Sequence, residues 1–443
     1  MQPYPPLQLL KVIGHSIWTR MTRPQFPEFR SNEASFYPRE ACYPVYERMR
    51  SDKKIFYVPR FLGWVVGGEY EVLTSLLRDD RLSLRFQDWD YYPRIPEAKK
   101  NALNRLTDNL LMAKHRSDHQ RLRRLSVTAF APRMVDKMMP QIRATVQKYF
   151  AEMEAASPDG SIDIVELARV IPLEILTDYL GVPADCKKGF FSVSEAILGQ
   201  FNPNTEIDLP GALKGIDMLK DMVRQKRANP QDDLISALAT AVEDGDKLSE
   251  DEMLSLIASV LAAGPDSTRD HSLCVVNGMA QHPAAWKEVR ENRELLQNAT
   301  RECFRWDAWG HRGYTRFALE DMEIHGQIVK KGEMIRLAFP VFLLDPKVFP
   351  QPNEFNIHRD NLDKVIHFGT GPHYCLGANI ARAIYESIIN EMLDRYESVE
   401  LLAPAQYAEN VVARHIKALP LRVKKAPLPS KTEPTEATQA LAG

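Results

Sequence analysis

Hydrophobic and polar positions along this chain repeat mainly at helical spacing. After Ser249-Glu-Asp-Glu252, apolar residues follow at Leu254, Ile257, Val260 and Leu261, marking one face of a helix. Ser249 with Glu252 three residues on is a capping box, which sets the start, and Pro283 sets the end near Gln281. A helix of roughly 32 residues rises about 48 Å, enough to cross a whole domain. Pro265 in its middle lacks the N–H that would bond to the Leu261 carbonyl, so a kink or opening is expected there. A second face recurs at Ile380, Ile384, Ile388 and Met392, immediately after the glycine-punctuated loop V-I-H-F-G-T-G-P-H-Y-C-L-G of residues 365–377.

Period-two alternation is short-range. Ile55–Val58 and 64–66 read as a hairpin ahead of Gly67-Gly68, between helical stretches from Pro38 through Met49 and over 70–77. Residues 82–117, with Trp89, Tyr91, Tyr92, Pro93 and Pro96, read as a long loop carrying short helical pieces. From 133 to 260 the pattern predicts successive helices, with a break at 201–211 holding Pro203 and Pro210. Residues 1–35 are Pro-rich and read as an irregular arm lying over the body. Residues 426–443 are small and polar with three prolines, the composition of a disordered tail.

The length of 443 residues alone suggests about three domains, but the motifs below run from His119 to Cys375 and argue for one unit over 36–425. The chain is 44% hydrophobic and 26% charged, with a net charge of −2, so nothing in its balance points to nucleic acid. Five cysteines lie far apart without a C-x-x-C pair, which disfavours a disulfide framework or zinc ribbon and suits a reducing cytoplasm. The apolar cluster at 9–18 is interrupted by Lys11, Gly14 and His15, and falls short of the ~20 residues that span a bilayer. Neither a secretory signal nor a transmembrane anchor is expected.

Candidate chemistry collects at the loop before the second helix. Gly369 and Gly371 bracket Thr370, so the backbone turns sharply there. Cys375 stands just ahead of a helix N-terminus, where free N–H groups favour a thiolate, and a thiolate is a metal ligand or a nucleophile. His373 adds a donor on the same rim. A buried structural cysteine is the plainer alternative for this residue taken alone. Upstream, His119 and Arg123 share a helix face at i and i+4, and Glu302 and Arg305 can pair at i and i+3. In the long helix, small Ala263 and Gly264 leave room for a flat cofactor, next to Asp266, Ser267 and Thr268.

F-G-x-G-x-H-x-C-x-G, met by Phe368, Gly369, Gly371, His373, Cys375 and Gly377, resembles the heme-binding signature of cytochrome P450. Ala263 to Thr268 resembles the family's A-G-x-[D/E]-T-T, His119 with Arg123 its H-x-x-x-R, and Arg316 its R-x-A-x-x-D arginine. The resemblance implies a soluble, bacterial-type protein of mainly α fold with small β-sheets, holding heme b between two long helices. It implies Cys375 as iron ligand, Phe368 shielding the sulfur, and Gly377 and the loop glycines letting backbone approach the porphyrin. His119, Arg123, Arg316 and His373 would hold the heme propionates. Asp266 would relay protons with either Ser267, which replaces the family's usual threonine, or Thr268.

Glu302, Arg305 and Arg359 would be scaffold. Residues 308–315, with Trp309 and Tyr314, would line the substrate pocket. Arg121 and Arg124 would belong to a docking face for an electron-transfer protein.

The implied activity is a monooxygenase that inserts one oxygen atom from dioxygen into a C–H or C=C bond of a small hydrophobic molecule. A polyketide-type natural product is the expected substrate, with terpenoids, steroids and fatty acids as alternatives. Electrons would come from a separate ferredoxin or flavodoxin with an NAD(P)H-dependent reductase, to a cytoplasmic monomer. The alternatives are a peroxide-driven or redox-neutral heme-thiolate enzyme, and a heme-bearing recruitment module without turnover.

Overall fold

The computed structural model describes residues 6–30, 33–92, 95–200, 206–243, 245–307, 313–408 and 414–427. Its axis is the helix Glu250–Gln281, which is continuous over 32 residues. The capping box is formed at its start: Ser249 Oγ accepts the Glu252 N–H at 3.2 Å, and Glu252 accepts the Ser249 N–H at 2.8 Å. It is buried along most of its length, wrapped by Val165–Leu180, Lys187–Gly199, Leu296–Trp306 and Ala378–Arg395. A helix surrounded on all sides by apolar neighbours needs no polar stripe, and Leu254, Ile257, Leu261, Leu273, Val276 and Met279 fill this core.

Pro265 does not interrupt this rod. The Leu261 carbonyl that it leaves without a helical donor accepts the Ser194 hydroxyl of the Lys187–Gly199 helix at 2.6 Å. The freed acceptor is satisfied from outside, so the helix carries a proline without an orphaned carbonyl. Ser194→Ala is expected to leave that carbonyl buried and unpaired, costing about 1–3 kcal/mol. Chemical unfolding of the variant against the parent protein measures it.

The main sheet has five strands in the order Ile55–Val58, Gly63–Val66, Met334–Leu337, Tyr314–Ala318 and Leu82–Ser83. The predicted hairpin is present, with Ile55 opposite Val66 and Val58 opposite Gly63. Arg316 pairs with Ile335, so the sheet itself fixes the direction of that arginine. A second sheet joins Tyr396–Leu401, Pro420–Lys425 and Ser161–Asp163, and a hairpin joins Gln406–Ala408 to His415–Ala418.

The expected helices over the second and third stretches form as Arg39–Ser51 and Tyr70–Arg78. Among the described residues of 82–117, the strand Leu82–Ser83 is followed by one short helix, Ala102–Asp108, and several single turns before the helix Arg116–Val127 begins, as the weak periodicity suggested. The reading of 1–35 as irregular is corrected. Pro6–Thr22 is a helix, because the prolines flank it and Pro6 occupies its first position, where no N–H is needed. It is fixed to the sheet by His15 Nε2 on the Tyr57 hydroxyl at 2.8 Å. Just after it, Arg23 lies over Tyr57 and Trp64 and is paired with Glu333 at 2.6 Å. The expected tail at 428–443, residues 201–205 of the expected break and 308–312 of the expected pocket lining lie outside the described residues.

Glu302 and Arg305 are fully buried and doubly bonded, each of the two contacts 2.7 Å. Arg305 also donates to the carbonyls of Pro352 and Glu354, while Glu302 accepts from the Asn356 N–H and from Arg359 at 3.3 Å. A buried ion pair contributes only when its remaining donors and acceptors are met, and here they are. The network ties the Leu296–Trp306 helix to the segment that leads into the cysteine loop. These residues are scaffold.

Candidate active site

The loop that carries Cys375 is closed by its own backbone. Cys375 N–H donates to the Phe368 carbonyl at 2.9 Å and Gly369 N–H to the Ile366 carbonyl at 2.8 Å. Gly369 and Gly371 have φ of +74° and +72°, the left-handed region that a side chain disfavours. Gly371 is further held by close approach, since a Cβ there would lie 3.0 Å from Arg78 Cγ. Arg78 in turn donates to Thr370 Oγ1 at 3.0 Å, a brace that sequence reading did not single out.

Ala378–Arg395 begins immediately after Gly377, which is its N-cap. Burial pushes the Cys375 thiol up, while the Gly377 backbone N–H and Arg123 pull it down without cancelling that rise. The helix N-terminus alone does not ionise this thiol. A cation bonded to the sulfur would.

Beside the loop lies a group of five basic side chains. The rings of His119 and His373 are 3.9 Å apart. Arg316 is buried, and its guanidinium bonds to the Thr315 carbonyl at 2.9 Å. Burial brings Arg316 down to about 10 and, together with Arg123 and His115, His119 to about 4. His373 is brought to about 3 by burial and the positive field of His119, Arg316, His115 and Arg123.

His115, the N-cap of Arg116–Val127, was missed in the sequence, although it precedes His119 by the same four residues that separate His119 from Arg123. Both of its ring nitrogens are buried without a hydrogen-bond partner. The lowered histidines stand neutral at ordinary pH, but the Arg123 and Arg316 charges beside them are costly to bury unless an anion joins them. The residues present therefore fit a prosthetic group with two carboxylates lying against the cysteine loop.

On the opposite wall, Ala263 is exposed in the middle of an otherwise buried stretch, and Ser267 one turn later is partly exposed on the same face. Ser267 donates to the Ala263 carbonyl at 2.5 Å. Thr268 is 2% exposed and donates to the Gly264 carbonyl at 2.7 Å, turned into the protein. Glycine at 264 also serves packing: a Cβ would lie 2.6 Å from Leu176 Cδ1, so its smallness lets the long helix approach Val165–Leu180.

His271, one turn beyond Ser267, donates from Nδ1 to the Ser267 carbonyl at 2.6 Å, and its ring stacks on Phe368 at 6.0 Å. The long helix and the cysteine loop thus meet at His271 and Phe368. Asp266, next to Ser267, is opposed by burial, but His415, Arg269 and Arg169 outweigh that and hold its carboxyl below the usual range.

Of the expected cationic docking face, Arg121 is bound to Asp246 and Glu252 at 2.6 and 2.5 Å, so its charge is met inside the protein. Among the described residues no helix is long and apolar enough to cross a membrane.

A cysteine loop at the head of one long helix, set beside a second long helix and a group of basic side chains, is the frame of a heme-thiolate protein. The cytochrome P450 family model matches residues 212–406. Cytochrome P450 CYP107DY1 of Priestia megaterium is 31% identical over 309 residues, covering 69% of this chain and 74% of that protein. The epothilone C/D epoxidase of Sorangium cellulosum is 28% identical over 399 residues, covering 87% and 93%. The solved structure of epothilone B-bound cytochrome P450epoK matches with a TM-score of 0.79 at 28% identity, covering 91% of this chain and all of that one.

The chain belongs to the cytochrome P450 family. It has the P450 fold and is a monooxygenase with a heme-iron cofactor.

Proposed function

We propose that this chain holds heme b through the sulfur of Cys375, with its propionates among His119, Arg123, Arg316, His373 and His115, and oxygenates a polyketide-type small molecule at a C–H or C=C bond. The observation that carries this reading is the cluster of buried histidines and arginines beside the Cys375 loop, set against an open Ala263–Ser267 face. Heme iron, when bound through a thiolate, supplies dioxygen activation.

The chain's own residues do the rest. Cys375 anchors, Phe368 covers the sulfur, and the loop glycines keep the backbone low. Ser267 holds a hydroxyl at the cleft, and Asp266 beside it takes and returns protons. Thr268, bonded into the helix, is structural in this reading. Ser267→Ala is then expected to lower product formed per dioxygen consumed by roughly fivefold, the worth of one hydrogen-bonding hydroxyl. Thr268→Val should leave that ratio unchanged. Electrons come from a separate ferredoxin or flavodoxin and its NAD(P)H-dependent reductase. The division into an arm over 1–35, one domain over 36–425 and a tail over 426–443 belongs to the same proposal.

The substrate class rests on likeness to an epothilone epoxidase. A panel of macrolactones and linear polyketides, with steroids, terpenoids and fatty acids beside them, is titrated into the holoenzyme. The heme absorption shift on displacement of water is read first, then product mass. A shift and an oxygenated product with polyketides support the reading. Turnover confined to another class overturns the substrate. Product formed from peroxide alone, without dioxygen uptake, overturns the reductase-dependent route.

A further inference from the structure

Asp266 and Asp270 stand one turn apart on the long helix, and the same two basic side chains lie between them. Asp270, with 1% of its side chain exposed, accepts from Arg269 Nη2 at 2.9 Å and from His415 Nδ1 at 2.6 Å. Asp266, 39% exposed, meets Arg269 Nη1 through Oδ1 and His415 Nε2 through Oδ2, both at 3.7 Å. One carboxylate is firmly bonded; the other sits just beyond hydrogen-bond reach of the same pair. Arg269 also contacts His415 Nδ1 directly. His415 comes from the Gln406–Ala408/His415–Ala418 hairpin, far along the chain, and so ties that hairpin to the helix.

We propose that His415 is a positioning residue for Asp266: gripped through Nδ1 by Asp270, it presents Nε2–H to the Asp266 carboxylate, orienting it while leaving it free to turn toward the Ser267 hydroxyl. This rests on the reading of Asp266 as the relay acid. A neutral ring bonded through Nδ1–H would offer only a lone pair at Nε2, but a carboxylate at each nitrogen favours the imidazolium, in which both nitrogens donate. The 3.7 Å gap matters as much as the contact. A carboxylate locked at 2.6 Å could not leave its partner, whereas one held at a distance is steered by charge alone.

The surroundings of His415 decide when it acts. Arg269 lies on the long helix beside Asp266 and Asp270. The Val165–Leu180 helix, which also packs on the hairpin, contributes Arg169, paired with Glu166 at 2.6 Å and adding to the positive field on Asp266. On the hairpin itself, Arg414 is bound to Asp307 and to the Tyr407 hydroxyl. Burial opposes an imidazolium at 415, but Asp266 and Asp270 outweigh burial and Arg269 and raise it to about 9. The folded value lies above the ordinary one, so the imidazolium persists through neutral pH and is lost as pH rises through about 9, while the stability it contributes is present in full only below about pH 6.5. Above that, Asp266 keeps Arg269 and Arg169 but loses the partner that reaches it from the hairpin.

Two measurements on the holoenzyme test this. Histidine labelled with carbon-13 and nitrogen-15 gives a titration for each ring by NMR, with His415→Gln identifying the signal. The expected result is titration near pH 9 that falls in Asp270→Asn; titration near 6.5 in the unaltered protein overturns the proposal. Product per dioxygen consumed is then followed against pH. It is expected to fall through about pH 9 in the parent enzyme and to lie roughly fivefold lower and flat in His415→Gln. In His415→Lys it should be restored, with its decline moved to higher pH. A His415→Gln enzyme with parental coupling and parental pH profile, beside an impaired Asp266→Asn, overturns this proposal alone. Parental coupling in Asp266→Asn overturns the relay reading and this proposal with it.

Discussion

Replacing Cys375 with alanine is expected to give a folded protein without a thiolate-type carbon monoxide spectrum and without measurable monooxygenation. The loop is closed by backbone bonds and two left-handed glycines, none of which uses the sulfur, so its shape should survive. No neighbour can take the sulfur's place. His373 packs at a tilt on His119 among the basic groups, and Cys42, Cys274 and Cys303 are buried elsewhere in the core. Among the described residues no group of three or more His, Cys, Asp or Glu could hold a metal ion. Far-ultraviolet circular dichroism checks the fold, and the reduced carbon monoxide difference spectrum checks the ligand. A retained thiolate-type spectrum would sink the assignment of Cys375.

Asp266→Asn is expected to lower product formation by about 10²–10⁴-fold, the usual worth of a positioned proton donor and acceptor. Dioxygen uptake should fall far less, because the lost step is proton delivery. The amide matches the carboxylate in shape but can neither take up nor return a proton, and it has none of the charge that Arg269, His415 and Arg169 face. Oxygen-electrode rates beside product mass measure the two quantities separately. Equal losses in both would point to a disturbed heme pocket and against a relay.

Much of the frame could be read from sequence because its causes are local. The Ser249–Glu252 box, the end before Pro283 and the Ile55–Val66 hairpin all depend on residues a few positions apart. The Glu302–Arg305 pair was visible at i and i+3, and Arg359 joins it as expected.

What stayed hidden depends on contacts across the chain. Nothing near Pro265 says that Ser194 will take the freed carbonyl, and nothing near Gly264 names Leu176 as a reason for glycine. His415 reaches Asp266 from the other end of the sequence, in a hairpin with no motif of its own. The first helix was misjudged for a local reason, since counting prolines does not reveal that they bracket the segment. His115 was missed because a histidine at a helix cap reads as ordinary until its two nitrogens are seen buried and bare.

The bond from Ser194 to the Leu261 carbonyl also constrains how the cleft can open. It pins one point of the Lys187–Gly199 helix to the rod beneath it. Translation of that helix along the rod must break the pin, whereas rotation about it need not. Access for a bulky guest should therefore come by tilting, with the Lys187 and Gly199 ends moving in opposite directions and Ser194 hardly at all.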